Sequence, residues 1–150
     1  VVSLALVRRI GLRFLDVINP EQGDTLDQYV VNQVLGLRGI ASEHSLHSMS
    51  ESVFNNPNET VLVSRVMTGS VERSAPFMPN ELLPLPLKLK ERFESISGDM
   101  AVMDTDTFII PSQSREFSLE LIHNLLKDLK KNITFAFESI VTPYALKRWQ

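Results

Sequence analysis

The first residues of the chain alternate between apolar and other side chains. Apolar residues occupy every even position over residues 2–14 except position 8, which is Arg8, and Arg9, Gly11 and Arg13 occupy odd positions. Alternation with a period of two is typical of a β-strand that buries one face. We therefore predict a strand over residues 2–14 that turns an aliphatic row toward the core and both arginines toward the reverse face. The aliphatic row comprises Val2, Leu4, Leu6, Ile10, Leu12 and Phe14.

A turn and then a helix are predicted after this strand. Asn19-Pro20 and the glycine at position 23 indicate the turn. Either Asp24 or Thr25 can cap the helix that follows. Its inner stripe comprises Leu26, Tyr29, Val30, Gln33 or Val34, and Leu37, and it ends near Gly36 and Gly39.

Three further strands are predicted in the middle of the chain. Residues 45–54 form an exposed strand, and the turn sequence Asn55-Asn56-Pro57-Asn58 connects it to an antiparallel partner over residues 59–70. Residues 99–110 alternate again and place Asp104 and Asp106 on one side. Between these strands, four prolines in residues 71–94 exclude a central strand or a continuous helix. Because this proline-rich segment is also apolar, we expect it to pack across the domain or to cover a site.

The C-terminal segment has a clear helical period. Apolar residues recur every three or four positions, with Ser118 as the expected N-cap and Thr142-Pro143 as the start of a last short helix. The stripe comprises Leu119, Ile122, Leu126, Leu129, Ile133, Phe137 and Ile140. Four aromatic residues nearby belong either to the core or to a partner-binding patch: Phe135, Phe137, Tyr144 and Trp149. The elements together predict an α+β fold, with a mostly antiparallel sheet of about four strands and the long C-terminal helix packed on one face.

Composition narrows the possible partners. The chain has 150 residues and a net charge of −3, so it lacks the surplus of positive charge that attracts nucleic acid or anionic membranes. No window reaches the roughly 20 apolar residues of a membrane-spanning helix. The absence of cysteine excludes disulfides and thiolate chemistry. We expect one cytoplasmic α+β domain over residues 1–150, with no nucleic-acid partner, no membrane partner and no cofactor.

Three segments share their order and rough spacing with a known family. They are Arg9-Ile10-Gly11-Leu12-Arg13-Phe14 with Asn19, Met103-Asp104-Thr105-Asp106-Thr107-Phe108, and Phe137-Glu138-Ser139-Ile140-Val141-Thr142, with His123 in the long helix. The chain thus resembles a sporadically distributed, uncharacterised prokaryotic family with an Arg-hydrophobic-Gly-Leu-Arg-aromatic signature strand. The family tends to have tyrosine and a nearby asparagine where Phe14 and Asp16 stand, and an aliphatic residue in place of Thr105.

The resemblance also has implications for what surrounds the domain. It implies that the chain is the C-terminal part of a longer prokaryotic protein, whose N-terminal segment would be a partner of this domain. It supplies no catalytic residues.

The arginine pair is the main candidate for ligand binding. Arg9 and Arg13 could clamp the phosphate or carboxylate of an anion, with Gly11 between them allowing close approach. The alternative is structural, because Asp104 and Asp106 would form cross-strand ion pairs with the arginines if their strand is a neighbour. The two aspartates could also hold magnesium, since residues i and i+2 of a strand share a side.

Other catalytic classes have little support in the sequence. His44 and His47 would point to opposite faces of a strand, and the serines over residues 42–52 lack a nucleophile elbow. Two hypotheses therefore stay open. The favoured one is a non-enzymatic interaction or assembly module, which could form a homo-oligomer or bind another protein. The alternative is a nucleotide- or phosphate-ester-binding enzyme that uses the arginines and a magnesium-bound Asp-x-Asp.

Overall fold

The computed structural model describes residues 6–40, 45–56, 59–70, 96–111 and 115–150. Its strands are β1 (Leu6–Val7), β2 (Ile10–Ile18), β3 (His47–Asn56), β4 (Thr60–Ser70), β5 (Asp99–Ile109) and β6 (Arg115–Glu116). Its helices are α1 (Leu26–Tyr29), α2 (Asn32–Leu35), α3 (Leu119–Ile140) and α4 (Pro143–Arg148), and a 3-10 turn spans Gly36–Gly39.

The centre of the molecule is an antiparallel sheet of four strands in the order β2-β5-β4-β3. The long helix α3 packs on one face of it, where Ile140 joins Ile18, Val66 and Met103 in a single buried cluster. This arrangement confirms the predicted α+β class. The face that carries α3 is called the helix face below, and the opposite one the reverse face.

The predicted first strand is interrupted. Leu6–Val7 pairs with β6, a short strand that was not predicted, whereas Ile10–Ile18 pairs with β5 from Ile10 opposite Ile109 to Ile18 opposite Ala101. Arg8 and Arg9 separate the two strands, and β2 extends four residues beyond the predicted end at Phe14. Residues 2–5 of the prediction lie outside the described ranges.

The predicted helix after this strand is also broken. Val30 has extended backbone angles, φ −124° and ψ 149°, and forms a bridge with Val141. The backbone N–H of Val31 donates to Ile140 and that of Thr142 donates to Tyr29, each at 2.9 Å, so this stretch pairs with the end of α3 instead of continuing its own helix. Leu37, which was predicted to face the core, is 80% exposed because it lies in the 3-10 turn beyond this break.

The remaining elements agree with the prediction except at the ends of β3. This strand begins at His47 and not at residue 45, and it includes Asn55 and Asn56, which were predicted to lie in the turn but pair with Val61 and Thr60. β3 and β4 form an antiparallel pair with Met49 opposite Met67, and β5 covers almost all of the predicted residues 99–110. Ser118 caps α3 by accepting a hydrogen bond from the Leu121 N–H at 3.1 Å. The proline-rich segment, His44 and the turn residues 57–58 lie outside the described ranges.

Candidate functional site

The predicted arginine pair lies on the reverse face of the sheet, opposite α3. Side chains alternate along a strand, so Arg13 on β2 shares this face with Asp104 and Asp106 on β5, whereas Met103 and Thr105 face the helix. Nε and Nη2 of Arg13 donate to the two carboxylate oxygens of Asp104 at 2.6 and 2.7 Å. This bidentate pair is the cross-strand interaction that the sequence offered as the structural alternative.

A second arginine extends the pair across the whole sheet. Arg65 on β4 lies directly opposite Asp104 on β5 and Glu51 on β3. Its Nη1 donates to Asp104 at 3.3 Å and its Nε donates to Glu51 at 2.5 Å. Arg13, Asp104, Arg65 and Glu51 thus form a row of alternating charge over four strands, which we call the charge row. The pKa of Arg65 is raised, mainly because its guanidinium donates a hydrogen bond to the Glu51 carboxylate.

The centre of the charge row is closed to solvent. The Asp104 side chain has no exposed surface, and both its oxygens accept from guanidinium groups. A metal ion at Asp104 would have to displace these arginines. Within the described ranges, no cluster of three His, Asp or Glu side chains is placed to hold a metal ion.

Arg9 and Gly11 also lie against other groups of the same chain. The Arg9 guanidinium lies 4.5 Å from the centre of the Phe108 ring and 3.8 Å from Asp106. A Cβ atom built on Gly11 would lie 3.2 Å from the Phe108 side chain and 3.3 Å from the Thr107 carbonyl oxygen. Gly11 therefore allows β2 to pack closely against β5. The space beside Gly11, where the sequence suggested that an anion could approach, is filled by Phe108 and Thr107.

A separate polar cluster joins the C-terminal helix to the loop after β2. Asp24 accepts hydrogen bonds from the hydroxyls of Tyr29, at 2.7 Å, and Tyr144, at 3.0 Å. Arg148 on α4 lies 3.4 Å from Asp24 and 2.6 Å from Glu21. These contacts, with the Tyr29 hydrogen bond as the largest cause, lower the pKa of Asp24 below its ordinary value.

The four aromatic residues near the C-terminus are divided between core and surface. Phe137 packs against the buried cluster, and its ring centre lies 6.3 Å from that of Trp149. Phe135, by contrast, is 63% exposed. Tyr144 is partly exposed but packs edge-on against the buried Tyr29.

The outer edge of the sheet is formed by β3, and most residues of this strand are exposed. β3 lies at the end of the strand order and pairs with β4 on one side; on its other side, none of the described residues pairs with it. Met49 and Val53, on the reverse face, are 60% and 62% exposed.

Sequence reasoning offered the Arg13 and Asp104 pair but missed Arg65 and Glu51, and it did not place β3 at the edge of the sheet. The alternation of Val61, Val63, Arg65 and Met67 places Arg65 among apolar residues on one face, and that pattern could have indicated a buried partner. The edge could not be read in the same way, because strand order depends on pairing between distant segments.

Comparisons of the chain with protein-family models, with curated proteins and with solved structures found no match. Among the described helices, none combines the length and the apolar character needed to cross a membrane.

Proposed function

We propose that the chain is a non-enzymatic interaction or assembly module that associates through the outer edge of β3. The observation that carries this proposal is the length and accessibility of that strand. His47–Asn56 has 10 residues, most of them exposed, and no described strand pairs with its outer side. Such an edge presents a row of backbone N–H and C=O groups that can pair with another strand.

The side chains of β3 favour pairing more than they prevent it. Sheet edges that must stay single are commonly protected by charged side chains, especially lysine, or by proline. Residues 47–56 contain no lysine or proline, and the carboxylate of Glu51 accepts a hydrogen bond from Arg65 of the same chain. The strand also exposes Met49 and Val53 on one face. A partner strand would cover both side chains while it pairs with the outward backbone groups of residues 49–55.

The geometry of the arginines also favours a module without catalysis. The alternative enzyme needs Arg9 and Arg13 for an anion and Asp104 with Asp106 for magnesium. Arg13 is instead held by two short hydrogen bonds to Asp104, whose carboxylate is fully buried. These groups stabilise the sheet.

The proposal retains the setting that the family resemblance implies. We place the module in the prokaryotic cytoplasm, as the C-terminal part of a member of the family with the Arg-hydrophobic-Gly-Leu-Arg-aromatic strand. The strand that pairs with β3 would then come from a protein partner.

Light scattering coupled to size exclusion tests the proposal. The wild-type chain should elute above its monomer mass of 17.0 kDa, and the Met49→Lys/Val53→Lys variant should return to that mass because lysines at an edge oppose pairing. Leu119→Lys is the matched control, since Leu119 is 80% exposed at the start of α3, away from this edge. A wild-type chain that stays monomeric at all concentrations, or an association that the edge lysines do not weaken, would contradict the proposal.

A further inference from the structure

The side chains of β3 are arranged almost symmetrically about Glu51. Ser50 and Ser52 flank it, and Met49 and Val53 follow on either side. In the pairing with β4, Met49, Glu51 and Val53 lie opposite Met67, Arg65 and Val63, so these three share the reverse face. The strand therefore carries an apolar, acidic, apolar pattern that reads the same in both directions.

We propose that the strand pairing with β3 is the β3 strand of a second copy of this chain, antiparallel and related by a twofold axis at Glu51. This inference rests on the assembly function proposed above. In this register Met49 of each copy lies opposite Val53 of the other, with Cβ atoms about 5 Å apart. The two four-stranded sheets become one continuous sheet of eight strands.

Pattern complementarity selects this register over its neighbours. A twofold axis at Ser50 places Met49 opposite Glu51 of the other copy, and an axis at Ser52 places Val53 opposite that glutamate. An axis at Met49 pairs this residue with itself but leaves Val53 opposite Ser45. Of these four registers, only the one centred on Glu51 covers both exposed apolar side chains of the reverse face, Met49 and Val53, with apolar partners.

The negative charge of Glu51 on the twofold axis is balanced by an arginine of the same copy. Glu51 would face Glu51 of the other copy, an arrangement that is unfavourable for two isolated carboxylates. Each of them, however, accepts a hydrogen bond from Arg65 of its own chain at 2.5 Å. The cluster on the axis thus contains two arginines and two glutamates and has no net charge. Two charge rows would meet there end to end.

Single-cysteine crosslinking tests the register directly, because the native chain contains no cysteine. In a twofold antiparallel pair, only the residue on the axis lies opposite itself, within the Cα separation that a disulfide requires. Oxidised Glu51→Cys should form a covalent dimer at least about tenfold faster than Met49→Cys or Val53→Cys alone. An equimolar mixture of the Met49→Cys and Val53→Cys proteins should form a covalent heterodimer.

The mixture of the Met49→Cys and Val53→Cys proteins tests the register without a substitution at Glu51. Met49 and Val53 are both exposed, so their substitution leaves the fold intact even if Glu51→Cys disturbs the charge row. Self-crosslinking of Met49→Cys or Ser50→Cys without crosslinking of the mixture would overturn the register. Association of the wild-type chain through the edge without crosslinking of any cysteine pair would overturn the pairing of β3 with β3 and would leave the proposed function intact. A strictly monomeric wild-type chain would overturn the proposed function as well.

Discussion

The carboxylate of Asp104 lies between two guanidinium groups, in a position where its burial is favourable only because of them. Its side chain has no exposed surface, and the arginine side chains that contact it are 29% exposed each. Burial of a carboxylate is costly unless it is paired and hydrogen-bonded. The bidentate contact with Arg13 and the contact with Arg65 supply that pairing. Loss of the carboxylate would leave two partly buried guanidinium groups without their shared negative charge.

We predict that Asp104→Ala destabilises the chain by about 3 kcal/mol, because removal of one member of a buried ion pair leaves the other charges uncompensated. Asp128→Ala is the matched control. Asp128 also accepts from a cation, Lys131, at 2.7 Å, but the two side chains are 55% and 68% exposed. An exposed pair of this kind contributes about 0.5 kcal/mol or less. Urea unfolding measures both losses, and similar values for the two variants would show that the charge row adds no stability.

A second residue-scale prediction concerns pH. The hydrogen bonds from Tyr29 and Tyr144 lower the pKa of Asp24 below its ordinary value of 3.8. A carboxylate whose folded pKa is lowered stabilises the fold above its unfolded pKa, and this contribution is lost as the pH falls through the folded pKa. The difference in Tm between wild type and Asp24→Asn should therefore be constant from neutral pH down to the ordinary value and should decline below it.

The two tyrosines provide an internal comparison for this prediction. Tyr29 is the larger cause of the lowered pKa, so Tyr29→Phe should raise the pKa of Asp24 more than Tyr144→Phe does. Carboxyl chemical shifts in an NMR titration measure both changes. A Tm difference for Asp24→Asn that stays constant to the acid limit would rule out this role for the carboxylate.

At the scale of elements, local patterns predicted most of the sheet and the long helix. The alternation of β5 and the asparagine and proline residues between the two middle strands are local sequence signals, and so is the serine at the cap position, Ser118. The helix break at Val30 has no local signal, since it arises from a bridge to Val141. The polar cluster at Asp24 was missed for the same reason, because Tyr144 lies 120 residues further along the chain.

Thr142 has two structural roles, and this leads to an element-scale prediction. Its hydroxyl accepts from the Ala145 N–H at 3.2 Å, which caps α4, and donates to the carbonyl of Gln28 on α1. Thr142→Ala should cost about 2 kcal/mol, the sum of a cap and a hydrogen bond. Ser118→Ala removes a cap alone and should cost about 1 kcal/mol.

Thr142→Ser is the control for this pair, because it retains the hydroxyl. It should lose clearly less stability than Thr142→Ala in the same denaturation experiment. If Thr142→Ala costs no more than Ser118→Ala, the contact between α4 and α1 contributes nothing beyond the cap.

At the scale of the whole molecule, the sheet combines local and distant pairings. Only three residues of the sequence separate β3 from β4, and Asn56 lies opposite Thr60. β5 joins β4 only after the segment between Ser70 and Asp99, and β2 joins β5 with Ile10 opposite Ile109. Closing a longer loop costs more entropy before its contacts stabilise the chain. The β3 and β4 hairpin should therefore form first and β2 should dock late.

This order of assembly predicts different kinetic effects for two buried residues. Leu62 on β4 lies opposite Phe54 of the hairpin, and Ile18 on β2 lies opposite Ala101; they are 1% and 2% exposed. Leu62→Ala should mainly slow folding, with a φ-value of about 0.5 or higher, whereas Ile18→Ala should mainly speed unfolding, with a φ-value below about 0.3. Both substitutions should be introduced into the Met49→Lys/Val53→Lys variant, so that association at the edge does not affect the folding and unfolding rates measured by stopped flow. A φ-value at Ile18 equal to that at Leu62 would mean that the distant pairing of β2 with β5 is already present in the folding nucleus.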